Sequence, residues 1–359
     1  GGAPDGAQPG DMFIFRNGTW QGNYAWGTTN VHGAAGSPII FMAMPGENVV
    51  FDAETQAIGI DSCSHLVFDG FTIVNTLGWN GKGIGMKYSS NITIRNIDSS
   101  GHTWGMIGMQ DLHNILTERS VFHDNPAEHG VYWGSRDLVN SNLTIRDCLF
   151  YRNGRHGFQH NGRVTNLIIE DNVMHTNNLA GISLMQGVSD SFIRNNLIFN
   201  NNKQGIVLAN YHDGNEAIQA YDQQHNLIEG NLIWVGKYSW NGNYITENYC
   251  GILINDGGES HTSLDYNIIR NNTIVTYHGE VFRFSQTDYA DTTTIENNTI
   301  YRVDGSAWTM YYGGTYLNFD QFESFSPLIS GNVFEEPNFA NVSIDYYLTP
   351  ELFDFRILE

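Results

Sequence analysis

Ile145-Arg-Asp-Cys148, Ile169-Glu-Asp-Asn172 and Ile193-Arg-Asn-Asn196 repeat one four-residue phrase at 24-residue intervals. The phrase is an isoleucine, a polar pair and, in most copies, an asparagine. It returns as Ile228-Glu-Gly-Asn231, Ile269-Arg-Asn-Asn272 and Ile295-Glu-Asn-Asn298, and equivalent anchors stand at Phe68, Ile94, Thr117 and Ile329. A repeat of roughly 20–30 residues with β-branched anchors and no helical period specifies stacked β coils, not helical repeats. The expected fold is an all-β parallel solenoid of about ten coils. It forms one body over residues 1–359, with coils at 10–335 and a C-terminal cap at 336–359.

A second column supports this register. Glycines open another strand at Gly83, Gly105, Gly130, Gly157, Gly181, Gly205, Gly251 and Gly279, and the anchor-to-glycine distance is the same in three consecutive coils: 145 to 157, 169 to 181 and 193 to 205. Residues after each glycine alternate, so Ile182, Leu184, Ile206 and Leu208 should point inward. Asn172, Asn196, Asn231, Asn272, Asn298 and Asn332 share one position, where amides bonded from rung to rung would satisfy a polar column in an apolar interior. Two insertions, at 211–224 and 235–248, form extra loops. The second carries Tyr238, Trp240 and Tyr244, and loops on a rigid scaffold are where binding concentrates.

Composition narrows the partners. With 17 Lys+Arg against 38 Asp+Glu, the net charge is −21, which argues against nucleic acid, because phosphate recognition needs a basic face. Three widely spaced cysteines, Cys63, Cys148 and Cys250, give neither a disulfide framework nor zinc spacing. The acidic segments His212–Glu216 and Asp256–Glu259 are candidates for Ca2+, and no other cofactor is indicated. No stretch is apolar enough to span a membrane, and the Gly1-Gly-Ala-Pro start reads as a mature or trimmed terminus. The expected location is extracellular or at the cell surface, the expected state a monomer or an end-to-end assembly.

Counting along the glycine column places the candidate chemistry. The residues just before it include Trp104, His129 and His156, so the two histidines become rung neighbours. One step earlier come Glu128 and Arg155, and two after the glycine come the outward Tyr132 and Gln159. Acid, base, phenol and guanidinium thereby converge. Closely packed imidazoles cannot all be protonated, which leaves at least one as a neutral base. A further outward column, six residues after each anchor, reads His123, Tyr151, His175, Phe199, Trp234, Val275 and Tyr301. It would bring His123 and His175 toward the same turn and offer Tyr151, Trp234, Trp240 and Trp104 as stacking platforms for a ligand. His160 falls on the inward side.

These repeats resemble the right-handed parallel β-helix superfamily, which holds pectate lyases, polygalacturonases, alginate lyases and mannuronan epimerases. The resemblance covers roughly residues 10 to 335, and Pro9-Gly-Asp-Met-Phe-Ile-Phe-Arg-Asn-Gly-Thr-Trp20 resembles the first coil of such enzymes. It implies a secreted, carbohydrate-active protein with a polysaccharide partner. The first reading is a lyase or epimerase acting on an acidic, uronate-containing polymer, with His129 or His156 as base, Tyr132 as acid, Arg155 as the carboxylate's cation and Glu128 orienting an imidazole. The mannuronan-epimerase Asp-Pro-His signature is absent. So are the Asn-Thr-Asp, Asp-Asp and Arg-Ile-Lys motifs of polygalacturonases, although Asp124 and Glu128 could form a different hydrolytic pair. A histidine metal site and a non-catalytic fibre or adhesion β-helix complete the alternatives.

Overall fold

The computed structural model describes residues 6–78, 80–210, 221–236, 249–255, 264–285, 292–341 and 354–357. The protein is an all-β parallel solenoid of about ten turns. Among the described residues the one helix is Phe319–Glu323. The chain comprises two compact units, Gly1–Asn172 and Val173–Glu359.

In the first unit the anchors stack as counted. Phe41, Phe68, Ile94, Thr117, Ile145 and Ile169 are successive partners in parallel register, and all are buried. In the second unit Ile193, Ile228, Ile269, Ile295 and Ile329 do the same. The polar pair after each anchor has two separate causes. Its first member faces outward in a column that alternates in sign, so Arg146 meets Glu118 at 2.8 Å, Arg270 meets Glu229 at 3.0 Å and Arg95 meets Asp69 at 2.9 Å. Its second member turns the chain in the left-handed region, where Asp147, Asp171, Asn195, Gly230, Asn271, Asn297 and Gly331 all have φ between 53° and 69°. Asp, Asn and Gly tolerate that conformation best, which fixes the composition of the phrase.

The asparagine that follows closes the turn from inside. In the second unit the backbone N–H and Nδ2 of Asn196 both donate to Asn231 Oδ1, at 3.0 and 2.9 Å, and the pattern continues through Asn272 and Asn298 to Asn332. In the first unit Asn172 Oδ1 accepts from the Cys148 N–H, and Cys148 is a buried filler whose thiol burial pushes up to about 12. A second ladder there runs Thr76, His102, Asn125, Asn153, with a histidine doing an asparagine's work: His102 Nδ1 accepts from the Thr76 N–H, and its Nε2 donates to the Ile73 carbonyl.

The glycine column forms because coils approach closely there. A Cβ on Gly130 would lie 2.7 Å from the Gly157 carbonyl, and one on Gly105 would collide with the Gly130 carbonyl. One member of the expected column is corrected. Cys250 pairs with Glu280 and Ile252 with Phe282, so Val281, not Gly279, stands beside Gly251. Val281 stands twelve residues after Ile269, the spacing kept by the regular coils, and Gly279 falls two short of it.

Candidate active site

The site lies in the first unit, on the outward side of the strands Lys82–Lys87, Trp104–Met109, Val131–Arg146 and Phe158–Glu170. Their parallel register makes Lys82 the neighbour of Trp104, and places Gly85, Ile107, Tyr132 and Gln159 in one column. His129 and His156 precede the equivalent glycines. Their rings stack 5.2 Å apart and within 2° of parallel. Trp104 closes one end of the stack at 5.6 Å from His129, and Tyr132 lies 5.5 Å from His129 and 5.3 Å from Trp104. Glu128 Oε2 is 3.5 Å from His129 Nε2 and 3.0 Å from Arg155 Nε. Gln159 is buried beside Tyr132.

Burial separates the two histidines. His129 is 2% exposed, whereas His156 is half-buried. His129 Nδ1 accepts the backbone N–H of His156 at 3.3 Å, which assigns the ring proton to Nε2, facing Glu128. Burial, reinforced by the His156 and Arg155 charges, holds His129 well below the ordinary imidazole range, so it is neutral at pH 7. Burial also raises the Glu128 carboxyl and outweighs the Arg155 guanidinium. His129 is thus a neutral, oriented imidazole beneath His156, and His156 is the more accessible ring of the pair.

The outward column forms, but its members are otherwise engaged. His123 stacks on Tyr151 at 4.7 Å and is held between Asp124 (2.6 Å) and Asp98 (3.0 Å). Burial alone would lower its pKa, yet the two carboxylates raise it above the ordinary imidazole value. Asp124 is in turn gripped by Arg152 through two bonds of 2.6 Å; burial opposes ionisation, but Arg152 and His123 prevail and depress its carboxyl. Tyr151, expected as a platform, is occupied by His123 and by the Arg152 guanidinium 4.6 Å from its ring centre. His175, expected near the histidine pair, stacks on Phe199 in the second unit. Trp234 is corrected from platform to core. It is 7% exposed in a cluster with Phe199 and Val275, and Phe339 of the C-terminal segment packs across it. Trp240, Tyr238 and Tyr244 lie outside the described residues, as do the two acidic segments considered for calcium. Among the described residues no group of three or more His, Cys, Asp and Glu side chains could hold a metal ion. His160 is fully buried, and burial carries its pKa down to about 3.

One feature escaped the count. Gly27, Gly59 and Gly85 are successive partners on the outward face, and their missing side chains leave a groove of about 310 Å3. It is lined by Gln56, Asp61, Lys82, Lys87, Ile107 and Met109 among others. Lys82 and Ile107 pair with Trp104 and Tyr132, so the groove lies one rung from the histidine stack, although none of its lining residues belongs to that stack. Glycines that are not followed by an alternating apolar run gave no repeat signal, and only the stacked register shows that they coincide.

No described helix is long and apolar enough to cross a membrane. No curated protein matches the sequence. Among solved structures, an alginate lyase from Paenibacillus sp. aligns with a TM-score of 0.56 at 14% identity, over 86% of this chain and 93% of that one. The A-module of a mannuronan C-5 epimerase of Azotobacter vinelandii aligns at 0.53 and 16%, over 91% of each. The tailspike protein of Escherichia coli bacteriophage HK620, solved with a pentasaccharide, aligns at 0.58 and 10%, over 90% of this chain and 58% of that one. At these identities the likeness is one of fold. The family description "Right handed beta helix region" matches residues 46–196, 137–220 and 162–347, and with the coils and ladders above it makes this chain a member of the right-handed β-helix family.

Proposed function

We propose that this protein is an extracellular carbohydrate-active β-helix that acts on a uronate-containing polysaccharide by proton abstraction. The observation that carries the reading is the His129/His156 stack, enclosed by Trp104 and Tyr132 and flanked by the Glu128–Arg155 pair. In this mechanism Arg155 faces the substrate carboxylate and drains charge from the adjacent C5–H bond. His156 takes that proton, and the electron pair either expels the C4 oxygen, which the Tyr132 phenol protonates, or accepts a proton on the opposite face of C5. The first outcome is elimination and leaves a C4=C5 double bond; the second is epimerisation. His129 is a positioning residue. Its proton toward Glu128 and its Nδ1 on the His156 backbone hold the ring above it. The solved relatives named for alginate and mannuronan chemistry support this reading.

Hydrolysis is the second reading, and one observation favours it: Glu128 has a raised carboxyl and Asp124 a depressed one, the division an acid and a base need. One screen separates the two. Wild type, His156→Ala and His129→Ala are incubated with alginate, pectin, glycosaminoglycans and neutral glycans. Ultraviolet-absorbing unsaturated ends indicate elimination, C5 inversion by NMR indicates epimerisation, and reducing ends without absorbance indicate hydrolysis. His156→Ala should lose about 100-fold or more in rate. Equal rates for His156→Ala and wild type on a processed substrate would overturn the assignment.

A further inference from the structure

The groove floored by Gly27, Gly59 and Gly85 holds an unusual cation. Lys82 is half-buried, and among the described residues no carboxylate lies within ion-pairing distance of its Nζ, in a chain whose acids outnumber its bases 38 to 17. Its neighbour Lys87 is already matched, by Asp61 at 3.0 Å. Burial and the nearby Lys87 charge both work against Lys82's ammonium form, so the site would gain from an incoming anion. Beside it Gln56 lies across the floor: a Cβ on Gly85 would come within 2.9 Å of Gln56 Oε1, and one on Gly59 would collide with Gln56 Nε2. An ammonium and an amide therefore converge in a trough whose volume is at the small end of ligand sites.

We infer that this trough is a subsite for one carboxylate-bearing sugar unit, with Lys82 pairing its carboxylate and Gln56 hydrogen-bonding the same unit. The inference rests on the polysaccharide reading, and it places a second sugar one rung from the ring that Trp104 and His156 would meet. The glycines let the Gln56 amide lie flat on the floor and leave room for a sugar above it, and Ile107 and Met109 form the apolar step at the trough's end.

The test is calorimetric titration of the full chain with oligo-uronates, sulfated oligosaccharides and neutral oligosaccharides of equal length, at low and high salt. Lys82→Gln should raise the Kd for oligo-uronates about tenfold or more, the expected weight of a charge-assisted bond. Lys82→Arg should restore most of it, and the affinity for neutral chains should not change. Gly59→Ala should also weaken binding, by pushing the Gln56 amide into the trough, with no demand for a left-handed backbone. Unchanged Kd in Lys82→Gln, no oligo-uronate binding by wild type, or a Lys82 effect confined to sulfated chains would each overturn the inference. The two proposals fail separately. Lys82-dependent binding without turnover would sink the chemistry and keep the subsite, whereas turnover indifferent to Lys82→Gln would do the reverse.

Discussion

His129 and His156 occupy equivalent positions on adjacent rungs, and their different burial sets them apart. His129 cannot leave its neutral form without stranding a charge beneath Trp104 and His156, while His123, a short distance along the chain, is clamped between two carboxylates that raise its pKa. NMR titration of ring carbons should therefore find His123 titrating above the ordinary imidazole range and His129 well below it. Asp124→Asn should move His123 down, and a His123 that titrates normally in wild type would contradict the clamp. The histidine pairing was legible in the sequence, because constant anchor-to-glycine distances fix which residues share a ladder. The division of roles was not, since it depends on what covers each ring. Trp234 shows the same limit: counting places it in an outward column, but only the fold brings Phe339 across it.

At the scale of the coil, the asparagine ladder and the glycine column are the features whose loss should cost most. Asn231 Oδ1 accepts from the Asn196 backbone and side chain, and its Nδ2 donates to Asn272 Oδ1 and the Ile193 carbonyl. Asn231→Ala strands several buried groups at once and should cost about 3 kcal/mol or more, at 1–3 kcal/mol for each unsatisfied group. Asn332 ends the ladder and has fewer dependants, so Asn332→Ala should cost less. Hydrogen exchange should show lost protection around residues 193–198 and 269–275 in the first variant, because damage in a repeat stack is felt mainly by neighbouring rungs. Gly105→Ala, which drives a methyl into the Gly130 carbonyl, should lower stability by about 1–3 kcal/mol, whereas Gly59→Ala meets only the tip of Gln56 and should be nearly neutral. Equal melting temperatures for the two glycine variants would refute this account. Register was legible wherever the phrase and the glycine kept step, and it failed at Gly279, because the regular twelve-residue spacing from Ile269 falls on Val281, which is not a glycine.

Over the whole molecule, pH acts through opposing effects. The net charge of −21 shrinks as pH falls toward the sequence pI of about 4.8, which relieves repulsion among surface acids. That repulsion is spread over the surface and screened beyond about 8 Å at physiological salt. Against it stand histidines buried in neutral form: His129, and with it His102 with a pKa of about 4 and His160 with a pKa of about 3, all lowered chiefly by burial. An unfolded histidine takes its proton near pH 6.5, so below that value the unfolded chain binds protons that the folded chain refuses. Stability from each group is complete above roughly pH 6.5 and declines as pH falls toward its folded pKa, by a few kcal/mol in all for each. The local contribution should win, and denaturant midpoints should fall steadily from neutral pH to about 4. His102 offers a clean test, because Asn125 and Asn153 hold the same ladder position and its ring bonds are of the kind an asparagine makes: Nδ1 accepts from the Thr76 backbone N–H and hydroxyl, and Nε2 donates to a carbonyl. His102→Asn should keep the ladder and remove the titration, so its midpoint should decline less between neutral pH and about 4 than that of wild type. An identical pH slope in the two proteins would locate the acid sensitivity elsewhere and leave His102 as packing alone.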